Sequence, residues 1–253
     1  MLGVLRSYGP ELGLTCSSEQ IEATIDRVLD QMQTNTAEVS IDNLAIANGE
    51  LIVDVLVHNL TGHKFPTGFP SRRAWLHLTV LSADGQVVFE SGAWSPDGEI
   101  TGNDNDLDAS RYEPHYMVID DPSQVQIYES IFEDEKGDIT SELLRGVSYV
   151  KDNRLLPDGF DLGSDNPDIA IYGSAREDTD FTGGSDTIRY EIAIDPAIGP
   201  FTVQVELLYQ SIAYRWAVNL TRHSAVEIDS FLGYYQSLPN SPVVVSQASE
   251  EAR

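Results

Sequence analysis

The sequence predicts a mainly β protein, an antiparallel β-sandwich with long loops, an N-terminal helix and a C-terminal helix. Apolar and polar residues alternate in several short runs, which is typical of strands that bury one face. Asn-Gly and Asp-Gly pairs separate some of these runs, as they do in β-hairpins. Long loops rich in Asp, Asn, Gly and Pro join the remaining runs, and few segments have helical periodicity.

The chain divides into three predicted parts. Residues 1–36 form an N-terminal helical segment, in which Ser17 and Gln20 have the spacing of a capping box and apolar residues then recur at helical intervals. Residues 37–240 form the β-sandwich domain, and residues 241–253 are expected to be a polar tail.

Two hairpins open the predicted sandwich, one around Asn48-Gly49 and one around Asp84-Gly85. Residues 92–124 and 151–187 are long and irregular. The segment after residue 208 could either extend a strand or start a helix. The elements predicted after the hairpins are strands at 125–132, 188–194 and 201–208 and a helix at 225–237.

Composition restricts the function. With 15 basic and 41 acidic residues the formal net charge is −26, which disfavours nucleic acid and anionic lipid as partners. No run approaches the roughly 20 apolar residues of a membrane span, and the N-terminus lacks a signal-peptide pattern. The single cysteine, Cys16, is expected to be a partly buried structural thiol and allows neither an internal disulfide nor a covalent c-type haem.

Two acidic clusters have spacings that could hold a cation. Ca²⁺ prefers six to eight oxygen ligands, which short Asp and Asn runs can supply from one loop. The first cluster lacks the Gly and the terminal Glu of an EF-hand, and a solvated acidic turn is the alternative for both. The candidate ligands are Asp104, Asp106, Asp108 and Glu113 in one cluster, and Asp178, Asp180 and Asp186 in the other.

Two of the five histidines lie on loops that could present an imidazole to a haem iron. His63 lies between Gly62 and Pro66, which restrict the loop, and His115 has tyrosines nearby on both sides. Structural hydrogen bonding is the alternative for both. No His-x-x-x-His spacing, nucleophile elbow or phosphate-binding glycine loop occurs, so nothing in the sequence favours an enzyme.

The segment between the two hairpins is unusually dense in glycine, proline, cations and aromatic rings. Residues 61–77 read TGHKFPTGFPSRRAWLH. This run resembles the TGHKLPTGYPSRRAWLH signature of a bacterial family of multihaem c-type cytochromes, and the likeness extends over about residues 20–236. The residues expected to shape the loop are Gly62, Pro66, Gly68, Pro70, Arg72 and Arg73.

The resemblance implies the C-terminal β-sandwich half of an exported cytochrome whose N-terminal half carries the Cys-x-x-Cys-His haem sites. This chain has no such site, so we expect a fragment or the product of a split gene, in which residues 1–36 adjoin the haem half. A periplasmic or extracellular location follows from the same resemblance. The implied partner is a haem-bearing half or subunit, and the implied cofactor contact is a haem held in trans.

Two functions therefore follow from the sequence. The first is a non-catalytic accessory domain of a multihaem cytochrome, which supports electron transfer by packing against haems and shielding them. The alternative is a secreted sandwich for cation-dependent binding or adhesion, in which Ca²⁺ would occupy the acidic loops.

Overall fold

The computed structural model describes residues 2–252. The chain is mainly β, with several antiparallel sheets and helices near both ends, as the sequence predicts. The helices, numbered in chain order, are α1 (Leu2–Tyr8), α2 (Ser18–Asn35), α3 (Asp104–Leu107), α4 (Tyr214–Leu220) and α5 (Val226–Ser237).

Two larger sheets form the sandwich. The first contains β1 (Ala37–Ala47), β2 (Glu50–Asn59), β5 (Val118–Ile119) and β10 (Ser185–Ala193), in the order β1-β2-β10-β5. The second contains β3 (Arg73–Leu81), β4 (Val87–Ser91), β11 (Phe201–Gln210) and β12 (Val243–Ala252), in the order β12-β11-β3-β4, with β6 (Ile127–Tyr128) also paired to β3. A smaller sheet has the order β8-β7-β9 and contains β7 (Ser130–Glu133), β8 (Ile139–Thr140) and β9 (Ser148–Asp152).

Alternating apolar residues place the core between the two larger sheets. Val53, Val55 and Val57 on β2 are fully buried, as are Leu78 on β3 and Val205 on β11. Because successive strand residues point to opposite faces, this alternation sends one face of each sheet into a shared core.

The structure confirms both predicted hairpins. β1 and β2 pair antiparallel across Asn48-Gly49, and β3 pairs with β4 across the turn that contains Gly85. The capping box at Ser17 and the helix α5 are also confirmed. The strand predicted at 125–132 is instead divided at Glu129 into β6 and β7, which belong to different sheets.

The polar tail predicted for residues 241–253 is wrong over its described part, because β12 occupies most of it as an outer strand paired with β11. Val245 and Ala252 face the core, while Glu251, which lies opposite Thr202 of β11, is on the exposed side. The alternation of buried and exposed residues therefore determined the structure of this segment more than its polar composition did. Acidic residues are also common on outer strands. Cys16, expected to be partly buried, is exposed just before α2.

Candidate functional site

The loop between β2 and β3 is held by its own side chains. The Asn59 amide donates to the carbonyl oxygens of His63 and Leu155, and its oxygen accepts from the main-chain N–H and hydroxyl of Thr61. Gly68 has a φ of 77°, a conformation that strains other residues. Asn59 and Gly68 thus fix the two ends of the loop from within.

The other predicted loop-shaping residues differ in their surroundings. A side chain at Gly62 would meet open space, and the φ of Gly62 is not positive, whereas Pro66 is buried. Pro70 is half-buried. Arg72 donates to the main-chain oxygen of Thr67 at 2.6 Å and lies far more in solvent than Arg73.

Lys64 anchors the loop to β9. Its ammonium donates to Asp152 at 2.9 Å and to the main-chain oxygen of Ala170, and Arg154 pairs with the same carboxylate. Burial lowers the pKa of Lys64, although Asp152 opposes that change. The sequence gives no local sign of this pair, because Lys64 and Asp152 are far apart along the chain.

Arg73 anchors the other end of the loop, at the start of β3, through a second buried ion pair. Its side chain is 1% exposed and donates to Asp106 at 2.9 Å, to Gln210 and to the main-chain oxygen of Gly98. The second carboxylate oxygen of Asp106 accepts from the main-chain N–H of Ile100. Asp106, predicted as a cation ligand, is therefore the buried counter-ion of Arg73.

The remaining candidates in the first acidic cluster are engaged separately. Asp104 pairs with Arg111 at 2.6 Å, and Asp108 accepts from the Ser110 hydroxyl and main-chain N–H. Glu113 accepts from the Tyr116 hydroxyl and from the main-chain N–H of residue 104, and burial raises the pKa of its carboxyl. These oxygens have protein donors and do not form a group that could hold a metal ion within residues 2–252.

The two haem-ligand candidates lie in different environments. His63 is exposed, and its Nδ1 lies 3.0 Å from the main-chain oxygen of Lys64 and 3.2 Å from the Thr61 hydroxyl. His115 is 4% exposed and has partners on both ring nitrogens. His63 is thus the more accessible of the two to a group outside the domain.

His115 joins the two acids of the second cluster that lie deepest. Its Nε2 lies 3.0 Å from Asp178 and 3.7 Å from Asp186, and the three possible ligand atoms lie within 4.8 Å of one another. Asp180, the third candidate, instead accepts from the main-chain N–H of Thr187. Burial and the neighbouring Asp178 raise the pKa of Asp180.

The hydrogen bonds around His115 define its protonation. The amide nitrogens of Gln126 and Asn153 lie 2.8 and 3.1 Å from Nδ1, so Nδ1 accepts. Neither amide can be turned round, because their oxygens accept from the main-chain N–H groups of Tyr116 and Glu129. His115 therefore carries its proton on Nε2, is neutral, and donates to Asp178.

This tautomer fits a metal ion poorly. A histidine that binds a metal through Nε2 donates its Nδ1 proton to an acceptor, and here two donors face Nδ1. The carboxylates alone could still contribute oxygen ligands. His115, Asp178 and Asp186 consequently fit a buried hydrogen-bonded cluster better than a transition-metal site.

Asp186 is the unusual member of the cluster. Its Oδ2 accepts from the Tyr128 hydroxyl at 2.7 Å and from Gln126, but its fully buried Oδ1 has no hydrogen-bond partner. Burial raises the pKa of Asp186 to about 6. Burial, the largest single influence, also opposes ionisation of Asp178, but the hydrogen bonds from His115 and from the main-chain N–H groups of Asp180 and Phe181 together outweigh it and lower the pKa of Asp178.

A second candidate site, made of an apolar groove and a polar cavity, lies beside α4. An apolar groove of about 360 Å³ opens there, and the Phe69 ring packs edge-on against Trp216 with centroids 5.4 Å apart. The groove adjoins a polar cavity of about 230 Å³ that contains Arg215 and Arg222. The apolar side chains of the groove are Phe69, Leu143, Ile212, Trp216, Leu220 and Phe231.

The sequence analysis missed this region, although helical spacing would have revealed it. Arg215 lines only the cavity and Leu220 only the groove, while Trp216 and Asn219 line both, so two neighbouring sides of α4 have different chemistry. The signal depends on assigning the segment to a helix, which its sequence left open.

The fold and these clusters define a β-sandwich domain with buried ion pairs at the end that carries the β2–β3 loop. Among solved structures, the chain is similar to a penta-heme cytochrome c552 from Thermochromatium tepidum, with a TM-score of 0.51 and 15% sequence identity. The match covers 88% of this chain and 41% of that one, so the chain spans about two fifths of that cytochrome. No protein-family model and no curated protein matches the sequence. The structural likeness supports a multihaem cytochrome-like fold.

No helix within residues 2–252 is both long enough and apolar enough to cross a bilayer.

Proposed function

We propose that this chain is a non-catalytic β-sandwich domain that packs against a haem-bearing half or subunit and supports electron transfer by shielding its haems. The observation that supports this most is the fold likeness to a penta-heme cytochrome over 88% of the chain. The single cysteine cannot supply a Cys-x-x-Cys-His motif, so the haems belong to the partner.

Physical reasoning supports the same role. Segments that carry several covalent haems have little polypeptide to form a core, so a rigid neighbouring domain can order them and exclude water from a haem edge. The sandwich is rigid, because its core lies between two paired sheets and its loops are held by buried ion pairs. The apolar groove beside α4 offers a surface for such contact.

His63 remains a candidate axial ligand to a haem of the partner, since its ring is exposed on the loop. His115 remains one only if its buried hydrogen bonds rearrange. A periplasmic or extracellular location belongs to this proposal, because the family that the sequence resembles is exported.

Co-expression with the haem-bearing protein encoded next to this chain tests the proposal. We expect a stoichiometric complex in size-exclusion chromatography and a shift of at least one haem reduction potential on binding. A haem-bearing neighbour that forms no complex, or whose potentials are unchanged in a complex, would contradict the proposal. His63→Ala should change the low-spin haem spectrum only if His63 is a ligand.

Cation-dependent binding is the second candidate, and the unpartnered oxygen of buried Asp186 is the observation that favours it. Under this alternative Ca²⁺ would bind the carboxylates of Asp178 and Asp186. Calorimetric titration with Ca²⁺ distinguishes the two functions, because the alternative requires saturable binding and a higher melting temperature.

A further inference from the structure

We propose that the groove and the cavity beside α4 together receive one edge of a partner haem. The porphyrin would lie against Phe69 and Trp216, and a propionate would enter the cavity toward Arg215 and Arg222. This inference rests on the proposed function and specifies which surface of the domain performs it.

The groove and the cavity are continuous. Ser141, Glu142, Trp216 and Asn219 line both of them, so a single ligand can contact the two at once. Their chemistry differs sharply, since one is lined mainly by apolar rings and aliphatic side chains and the other by charged and amide groups. A ligand that fills both must have an apolar body with a polar group at its edge.

The apolar half is exposed without a partner in the chain. Phe69 is 49% exposed and Leu143 is 45% exposed, although both are large apolar side chains. Leu144 beside them is fully exposed. An exposed apolar cluster of this kind marks an interaction site in an otherwise strongly charged protein. The Phe69 and Trp216 rings meet at 64°, so a flat porphyrin can stack on one ring while the other ring contacts its edge.

The polar half has an arginine whose charge lacks a carboxylate. Arg215 is 7% exposed, and its Nε and Nη2 donate only to the main-chain oxygens of Asn105 and Asp106. Among the described residues no ion pair involves Arg215 or Arg222. Glu99 and Asp108 interact electrostatically with Arg215 without forming an ion pair, so the buried guanidinium still favours an anionic ligand, and Arg binds carboxylates well.

The other charges of the cavity do not cancel this preference. Arg145 pairs with Asp134 at 2.5 Å and lies 3.6 Å from Glu142, which leaves one net negative charge among these three groups. Asp138 is an exposed acid at the same cavity, and its charge offsets that of Arg222. The lining thus has as many basic as acidic groups, in a chain whose net charge is −26, and is a comparatively favourable place for a carboxylate.

Asn219 provides a further unsatisfied group. One end of its side-chain amide bonds the Ser141 hydroxyl, and the other end is buried without a partner. The unpartnered end is Oδ1, an acceptor, so a carboxylate in the cavity can use this amide once it turns to present its NH₂ group while Oδ1 accepts from the Ser141 hydroxyl. A haem combines the required features, because its carboxylates project from one edge of an apolar macrocycle.

Titration of the whole chain with ferric protoporphyrin IX tests the site, with the Soret band and tryptophan quenching as readouts. We expect saturable binding at one site, and at least tenfold weaker binding of the dimethyl ester, which lacks the free carboxylates. Arg222→Gln should weaken the free acid roughly three- to tenfold and leave the ester unchanged. Arg111→Gln, which alters an arginine outside the cavity, is the matched control and should change neither.

Trp216→Ala should weaken both porphyrins by more than tenfold, with circular dichroism as the check that the variant folds. Equal affinities for the free acid and the ester, or equal effects of Arg222→Gln and Arg111→Gln, would overturn the proposal. Displacement of the porphyrin by laurate at equal concentration would also overturn it, since the site would then prefer a fatty acid.

The failure of this inference is distinguishable from failure of the proposed function. The Trp216→Ala and Arg222→Gln variants should lose affinity for the haem-bearing partner by the same factors as for the porphyrin. If both variants bind the partner like the unaltered chain, another face docks and only this inference fails. If the unaltered chain binds the porphyrin at α4 but no haem-bearing partner, the proposed function fails.

Discussion

Replacing Asp186 with asparagine should stabilise the protein at alkaline pH. The variant keeps the size of the side chain and an oxygen that accepts from Tyr128 and Gln126. Its new NH₂ group replaces the unpartnered Oδ1, within 4.8 Å of an Asp178 oxygen. The substitution thus removes a buried charge without leaving a cavity.

The magnitude follows from the pKa of Asp186, which burial raises from 3.8 to about 6. A carboxyl with a raised pKa stabilises the fold fully below pH 3.8, and that contribution is lost as the pH rises through about 6. The difference between these pKa values, at ~1.4 kcal/mol per pH unit, corresponds to roughly 3 kcal/mol. The free energy of unfolding of Asp186→Asn, taken relative to that of the unaltered chain, should therefore increase by up to roughly 3 kcal/mol from acidic to alkaline pH.

Urea denaturation at pH 4.5 and pH 8 captures roughly 2 kcal/mol of this difference, because at pH 4.5 the carboxyl of the unfolded chain is already mostly ionised. Asp178→Asn is the matched control, because the pKa of Asp178 is lowered and its contribution is present above pH 3.8 and lost as the pH falls. Its destabilisation should accordingly be nearly the same at pH 4.5 and pH 8, which both lie above 3.8, and smaller near pH 3. If Asp186→Asn instead destabilises the chain most at pH 8, the carboxylate is ionised and partnered, as a bound cation would require.

Three further predictions concern the loops. Arg73→Ala should lower the free energy of unfolding by about 3–5 kcal/mol, because it leaves the buried carboxylate of Asp106 without its counter-ion. Arg72 is more exposed, so Arg72→Ala should change the same free energy by less than about 1 kcal/mol in the same denaturation assay. Gly92→Ala should be far more destabilising than Gly85→Ala. Both glycines have a positive φ, but only at Gly92 would a Cβ overlap a main-chain atom, the oxygen of Leu76. Similar melting temperatures of the two variants would contradict this. In the Asp186→Asn variant, millimolar Ca²⁺ should leave the melting temperature unchanged, because the first acidic cluster is occupied by protein donors. A saturable rise in that variant would refute the assignment.

Local signals carried most of the fold prediction. The Asn48-Gly49 turn and the alternation of apolar residues define the first hairpin without reference to the rest of the chain. The strand β12 was missed because its polar composition was given more weight than its alternation. Glu129 shows another limit, since the sequence around it reads as one strand and its division into β6 and β7 depends on pairing with two different sheets.

The candidate site was less predictable because its contacts are distant in sequence. His115 was recognised as a functional candidate, but Gln126, Asn153 and Asp178, which determine its tautomer, come from separate segments. Asp106 was assigned to a cation because its neighbours are acidic, and its partner Arg73 lies 33 residues away. Spacing identifies which groups could bind a ligand, whereas tertiary folding decides which of them are already used.

The position of β12 has a consequence for biogenesis. This strand completes the edge of a sheet by pairing with β11 from Phe201 to Tyr209. Its Ser246 hydroxyl also accepts from the main-chain N–H of Val39 in β1, which is distant in sequence but adjacent in the fold. During synthesis β11 emerges with one edge unpaired and remains so until residues 243–252 leave the ribosome. Premature termination in that interval would release a chain with an open apolar edge, which is a template for aggregation.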